Sequence, residues 1–271
     1  MKTISEELFE YARDVNDLPM LSAPNNQNNI ADHFHRQMEI LYVTQGRVQV
    51  KINDVTKILC KDQVAISDSY DIHSLVTLEP EKTLSIDLII PYTAMTEYLA
   101  EKQSRSLKNN FITDKNTVAK IKSFIDLLYV YWTPTINNIT NHICQALLAM
   151  IPKEIGFCSV QNNSKQLLQS EILQFIADNF LHDLTIETVA AKFGYSKYYF
   201  SKIFFRSFKT TFNDYIKILK VQHAIKLLQT ERISVLEAAT RAGFNSEATF
   251  YRFIKKNLHC SPKQLALQPL I

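Results

Sequence analysis

The chain has 271 residues, 46% hydrophobic and 21% charged, with four glycines and a formal net charge of +3. That composition excludes a disordered or collagen-like chain, and no apolar run reaches the ~20 residues needed to cross a bilayer, so no membrane partner is expected. The charge is a sum of unlike parts: residues 1–164 carry 15 Lys and Arg against 19 Asp and Glu, whereas residues 165–271 carry 15 against 8. A basic surplus of that size points the back half toward a polyanion, although sign asymmetry between domains also occurs without one.

The length allows two domains, each with its own core. Cys60, Cys144, Cys158 and Cys260 lie far apart, with no Cys-x-x-Cys pair and no His at zinc-finger spacing. Neither a disulfide framework nor a structural zinc module is indicated. The start, Met1 and Lys2 followed by Glu6, Glu7 and Glu10, lacks the features of a secretion signal. A cytoplasmic protein with reduced thiols is expected.

In chain order, Met38–Thr44, Arg47–Asn53, Val55–Cys60, Gln63–Ser67 and Lys82–Ile90 read as short strands rich in Val, Ile and Leu, with Gln45-Gly46 and Asn53-Asp54 as turns. Strands so closely spaced suggest an antiparallel sandwich or small barrel. After Pro91 the period changes to 3.6 residues: Val118, Ile121, Ile125, Leu128 and Tyr129 share one helical face, and Ile139, Ile143, Ala146, Leu147 and Met150 another. Thr133-Pro134 separates these helices, which could pack on the β domain or on a second subunit. The isolated Trp132 reads as a packing residue rather than a base-stacking one.

The same region carries His33-x-His35-x3-Glu39-x6-Gly46, with His73 further on. This spacing resembles the first motif of the cupin barrel, in which such residues can converge on one metal ion. Three uses stay open for the set: a metal site of His33, His35, Glu39 and His73; an organic effector pocket of the same residues with Tyr42; or buried histidines that only pack. The second cupin motif is degraded, since Lys61-Asp62 stands where Gly-Asp is usual and Ser67 and Ser69 replace Pro and Gly. The favoured reading has no bound cofactor. A metal-dependent cupin enzyme fused to a helical domain is the competing reading of the whole chain. No Gly-x-Ser-x-Gly, phosphate-cradling loop or Gly-x-Gly-x-x-Gly is present.

Ser159-Val160-Gln161-Asn162-Asn163-Ser164-Lys165 is polar and lies where the charge changes sign, so it reads as a linker. The expected division is a front domain over 1–158, a linker over 159–166 and an all-helical domain over 167–271. The back domain repeats itself at about fifty residues. Leu184-Thr185 aligns with Ile233-Ser234, Val189-Ala190 with Ala238-Ala239, Gly194-Tyr195 with Gly243-Phe244, and, after one inserted residue, Phe200 with Phe250 and Lys202 with Arg252. Each copy reads as a helix-turn-helix. Thr185 caps the first helix, Gly194 turns and Ser196 caps the second; in the other copy Ser234 and Glu237 suit a capping box and Gly243 turns. Between them, Asn213–Gln229 reads as one helix of about 17 residues, roughly 25 Å at 1.5 Å per residue. Such a strut can set two recognition helices about one duplex turn, ~34 Å, apart.

These paired motifs, Leu184 to Ser196 with Tyr199 to Phe204, and Ala238 to Phe244 with Phe250 to Lys255, followed by Ser261-Pro262, resemble the AraC/XylS family of bacterial transcription regulators. The resemblance covers Leu167 to about Leu265. It implies a cupin-like front domain that senses a small-molecule effector, with carbohydrates among the classes, and that can form a homodimer through itself and its helices. It also implies a non-enzymatic, double-stranded promoter-DNA-binding domain that communicates with RNA polymerase, more often as an activator. Carried over position by position, base contacts fall on Tyr198, Ser201 and Lys202 in the first recognition helix and on Glu247, Ala248, Tyr251 and Arg252 in the second. Phosphate contacts fall on Arg206, Lys220, Lys255 and Lys256. The chain departs from the family pattern in having Lys209 and His259 where Gly usually follows each recognition helix.

Overall fold

The computed structural model describes residues 19–25, 29–103, 105–132, 138–159, 164–208, 210–231, 233–258 and 262; at 164–167, 170, 222, 229–230 and 256–258 it describes the backbone alone. The described residues fall into two compact units, divided between Leu167 and Leu168.

The front unit is built from β1 (Met20–Leu21), β2 (Ile30–His33), β3 (Met38–Gln45), β4 (Arg47–Ile52), β5 (Val55–Cys60), β6 (Gln63–Ser67), β7 (His73–Thr77), β8 (Leu84–Ile90), α1 (Thr96–Lys102), β9 (Arg105–Leu107), β10 (Phe111–Ile112), α2 (Lys115–Tyr131), α3 (Asn138–Ile155) and β11 (Phe157–Ser159). Its strands form a five-stranded sheet in the order β1-β8-β3-β6-β10, a four-stranded sheet in the order β2-β7-β4-β5, and a β11-β9 pair, all antiparallel. No ladder joins the two larger sheets among the described residues, so they form a sandwich; the expected closed barrel is not made.

β3 is the central strand, and both of its faces are buried. Met38, Ile40 and Tyr42 lie with Ile86, Leu88 and Ile90 of β8 beneath Ile121, Ile125 and Leu128 of α2 and Cys144, Leu147 and Ile151 of α3. Leu41 and Val43 face the other way, into the layer shared with Val48, Val50, Ile52, Leu59 and Leu75 of the four-stranded sheet. Each fully buried aliphatic side chain contributes about 1.5–3 kcal/mol, so the alternating faces of this one strand tie three layers together. Burial pushes the Cys144 thiol up to about 12, which leaves it as a small packing group. Trp132 caps the end of α2.

The expected linker, residues 159–166, is described only at its two ends. Ser159 ends β11 and α4 begins at Ser164, while residues 160–163 lie outside the described ones. The division falls within the first turn of α4 (Ser164–Asn179), and the back unit continues with α5 (Ile186–Lys192), α6 (Lys197–Phe208), α7 (Phe212–Glu231), α8 (Val235–Arg241) and α9 (Glu247–Leu258). α7 has 20 residues and belongs to two cores. Near its start, Phe212 and Tyr215 pack around Phe204 of α6, with ring centroids 5.8 and 5.9 Å away. Further along, Val221, Ala224 and Leu227 pack with Ala238, Ala239 and Ala242 and with Phe244, Phe250 and Ile254. The small alanines let α8 approach α7 closely, as the apolar periodicity requires.

Candidate functional site

Both copies of the helix-turn-helix are closed by matching turn bonds and by a side-chain cap at the start of each helix. In the first, Thr188 N donates to Thr185 Oγ1 at 3.2 Å and Thr185 N donates to Thr188 Oγ1 at 3.1 Å, a reciprocal capping box. The turn follows with Gly194 N to Ala191 O at 3.1 Å and Tyr195 N to Ala190 O at 2.8 Å, and α6 starts where Tyr199 N donates to Ser196 Oγ at 3.3 Å. In the second, Glu237 N donates to Ser234 Oγ at 3.1 Å, and the turn bonds are Gly243 N to Thr240 O at 2.9 Å and Phe244 N to Ala239 O at 3.0 Å. α9 then starts with Thr249 N to Ser246 Oγ at 3.2 Å. Gly194 and Gly243 have φ of +74° and +79°, the left-handed conformation that ends a helix most easily at glycine. Asn245 is the inserted residue, because the register between the copies changes by one between these turns and the caps that follow.

On α6, Tyr198, Ser201, Lys202, Phe205 and Arg206 are exposed on one face, with Tyr198 80% accessible, while Phe200, Phe204 and Phe208 are buried. On α9, Ala248, Tyr251, Arg252 and Lys255 are exposed at the matching positions, and Phe250 and Ile254 are buried. Spacing i, i+3, i+4, i+7 places each set along one helical side, as a helix entering a major groove requires. Glu247 is half-buried in the first turn of α9, where the helix dipole favours a carboxylate.

One of the expected phosphate contacts has a bonding partner of its own. Lys220 is turned inward: its Nζ donates to the Gly243 carbonyl at 3.0 Å, capping the turn of the second copy from α7. The Lys256 side chain lies outside the described residues, as do Lys209 and His259. Arg206 and Lys255 remain exposed beside the recognition faces.

In the front unit, four of the five expected pocket residues meet. His33 and His73 are cross-strand partners on β2 and β7, His35 follows in the next loop, and Glu39 projects from β3 of the opposing sheet. Their potential ligand atoms all lie within 4.8 Å of one another, and all four residues are buried. His35 Nε2 and His73 Nε2 lie 3.0 and 3.4 Å from Glu39 Oε2. Tyr42 is not part of this group. It stands three residues from Glu39 along β3, an odd offset that turns it to the helix-covered face, and its hydroxyl donates to Asp62 Oδ1 at 2.7 Å.

Each histidine is oriented in the same way. Nδ1 of His33, His35 and His73 lies 3.0, 3.1 and 2.8 Å from the carbonyls of Ala31, Gln37 and Asp71, each two residues away. Carbonyls only accept, so Nδ1 carries the proton and Nε2 faces the cluster. Burial alone would raise the Glu39 carboxyl, but the charge of His73 and hydrogen bonds with His35 and His73 hold it well below the usual carboxylate range. Burial would lower His73, but Glu39 outweighs it and raises it; burial and the charge of His73 press His33 well down.

The sequence reading missed the support behind His73. Asp68 pairs with Lys102 Nζ at 2.7 Å and accepts from the Tyr98 hydroxyl at 2.9 Å, while Asn53 Nδ2 donates to Asp71 Oδ1 at 2.8 Å. Tyr70 N donates to the His35 carbonyl at 2.8 Å, fastening the same loop to the other side of the cluster. Only the fold brings these residues together, so no local pattern announces them.

A duplicated helix-turn-helix on one helical unit defines a class of DNA-binding proteins, and comparison with known proteins identifies the family. The helix-turn-helix domain family matches residues 189–268. The probable transcription factor PqrA of Proteus vulgaris is 39% identical over 80 residues, covering 29% of this chain and 65% of PqrA. The HTH-type transcriptional activator AarP of Providencia stuartii is 30% identical over 93 residues, covering 34% of this chain and 69% of AarP. The chain thus spans slightly less than two thirds of PqrA and slightly more of AarP. Wild-type ToxT of Vibrio cholerae strain SCE256, solved with an unsaturated fatty acid bound, shares the fold with a TM-score of 0.50 at 11% identity, covering 94% of this chain and 97% of ToxT. The chain belongs to the AraC/XylS family of transcription regulators.

Proposed function

We propose that the chain is a sequence-specific DNA-binding transcription regulator whose α6 and α9 enter successive major-groove segments of promoter DNA. Tyr198, Ser201 and Lys202 read bases from α6, and Ala248, Tyr251 and Arg252 read them from α9, with Glu247 at its first turn. Arg206 and Lys255 contact phosphate, releasing counterions and making affinity salt-dependent. The observation that carries this reading is the matching exposed faces, in which Lys202 lies between buried Phe200 and Phe204 and Arg252 between buried Phe250 and Ile254.

The front unit takes a small ligand, whose unequal affinity for two states of the protein shifts DNA binding. A dimer through the front unit is supported by Leu127, Val130, Tyr131 and Ile139, which are exposed apolar residues on α2 and α3. Contact with RNA polymerase and a non-enzymatic role are part of this reading, and the resemblance to a transcriptional activator supports them. The test is binding of Lys202→Ala and Arg252→Ala to the gene's own upstream region. Each loses affinity by about 1–3 kcal/mol with relaxed selectivity at its base. Wild-type affinity and selectivity in both variants overturn the groove assignment.

A further inference from the structure

We propose that Phe205 is a specificity-determining residue that reads the C5-methyl group of one thymine in the major-groove segment entered by α6. This rests on the reading of α6 as a recognition helix and deepens it by adding an apolar contact to the polar ones.

Position and exposure carry the inference together. At about 100° per residue, Phe205 points within about 20° of Tyr198 and between Ser201 and Lys202, so it stands at the middle of the face that meets the bases. Arg206 stands about 80° from Tyr198, toward the rim of that face. Phe205 is 55% exposed, whereas Phe200, Phe204 and Phe208 of the same helix are buried. Tyr198 and Phe205 are seven residues apart, roughly 10 Å along the axis at 1.5 Å per residue, so the two rings meet different base pairs.

A phenyl ring offers neither donor nor acceptor, so it reads no hydrogen-bonding edge of a base and holds no phosphate. The apolar group that the major groove displays is the thymine methyl, and phenylalanine is among the side chains that contact it. At the matching place in the second copy stands Lys255, also exposed. Its four-carbon stem lets the ammonium swing out to a phosphate from the same starting point. The phenyl ring turns on two torsions and stays where its Cβ directs it, over the base edges. The duplicated motif is therefore apolar at this place in α6 and cationic in α9, and the two segments differ in what they recognise.

The test uses the full chain and duplexes of the gene's own upstream region, in which each thymine of the segment that loses contact in Lys202→Ala is replaced in turn by uracil, which lacks only the C5-methyl. The expected result for the wild type is a loss of about four-fold at one thymine, the worth of one buried methyl. Phe205→Ala binds the all-thymine duplex about ten-fold more weakly and no longer distinguishes thymine from uracil there, whereas Tyr198→Ala keeps that preference. Circular dichroism verifies that each variant is folded. Should Phe205→Ala not fold, Phe205→Lys, which carries the residue of the second copy, decides: it loses the preference and steepens the salt slope by about 0.9. No uracil-sensitive thymine in that segment, a preference that persists in a folded Phe205 variant, or wild-type affinity in Phe205→Ala overturns the proposal. Wild-type protection of two segments in the same experiment separates that failure from a failure of the groove assignment itself.

Discussion

Lys220 and Gly243 lie 23 positions apart in sequence, yet the Lys220 ammonium donates to the Gly243 carbonyl at 3.0 Å. α7 therefore holds the second helix-turn-helix by a polar bond at its turn as well as by the apolar layer of Val221, Ala224 and Leu227. A basic residue at this position has a structural use that charge alone does not reveal.

If that bond is the role of Lys220, Lys220→Met lowers stability by about 1–2 kcal/mol, the range for a hydrogen bond from a charged group that is partly exposed. Its DNA affinity falls with stability, while the slope of log affinity against log salt stays as in wild type. Denaturant unfolding combined with a salt titration checks this. A slope reduced by about one, with stability unchanged, would make Lys220 a phosphate contact instead.

The two turn glycines separate two costs. Nothing lies within 4 Å of a Cβ built on Gly194, so Gly194→Ala carries only the left-handed backbone penalty of about 1–2 kcal/mol. A Cβ on Gly243 meets Lys220 Nζ at 3.1 Å, so Gly243→Ala adds displacement of that ammonium. Thermal unfolding of both variants gives the larger loss for Gly243→Ala.

Arg206→Ala and Lys255→Ala each reduce the salt slope of DNA binding by about 0.9 and weaken binding evenly across sequences. Competition binding with the cognate site and unrelated DNA at several salt concentrations measures both effects. Loss confined to the cognate site would move either residue into the base-reading set.

Much of this structure is legible in the chain. β5 and β6 begin and end where their apolar runs do, and both turns of the back unit follow from Gly194 and Gly243 with their flanking caps. The reciprocal capping box falls on Thr185 and Thr188, because a threonine hydroxyl returns the bond as a glutamate would; at Ser234 the expected box is a single bond to Glu237 N. β2 and β7 escaped the sequence reading. Both are short, and their pairing changes register between Ile30 and His33. Whether the sheets close is decided by distant pairings that local alternation does not encode. The misplacement of Tyr42 was avoidable, since strand parity from Glu39 already sends it to the opposite face. Lys220 was not, because a helical wheel gives its side of α7 but not the carbonyl that lies beside it.

The central claim is that α6 and α9 read DNA through matching faces. The most direct measurement is quantitative binding of wild type, Lys202→Ala, Arg252→Ala and the double variant to the gene's own upstream region, with footprinting of the bound site. The account predicts protection of two major-groove segments one helical turn apart, with each single variant losing contact in a different segment. Protection of a single segment, or the same segment affected by both variants, would contradict it.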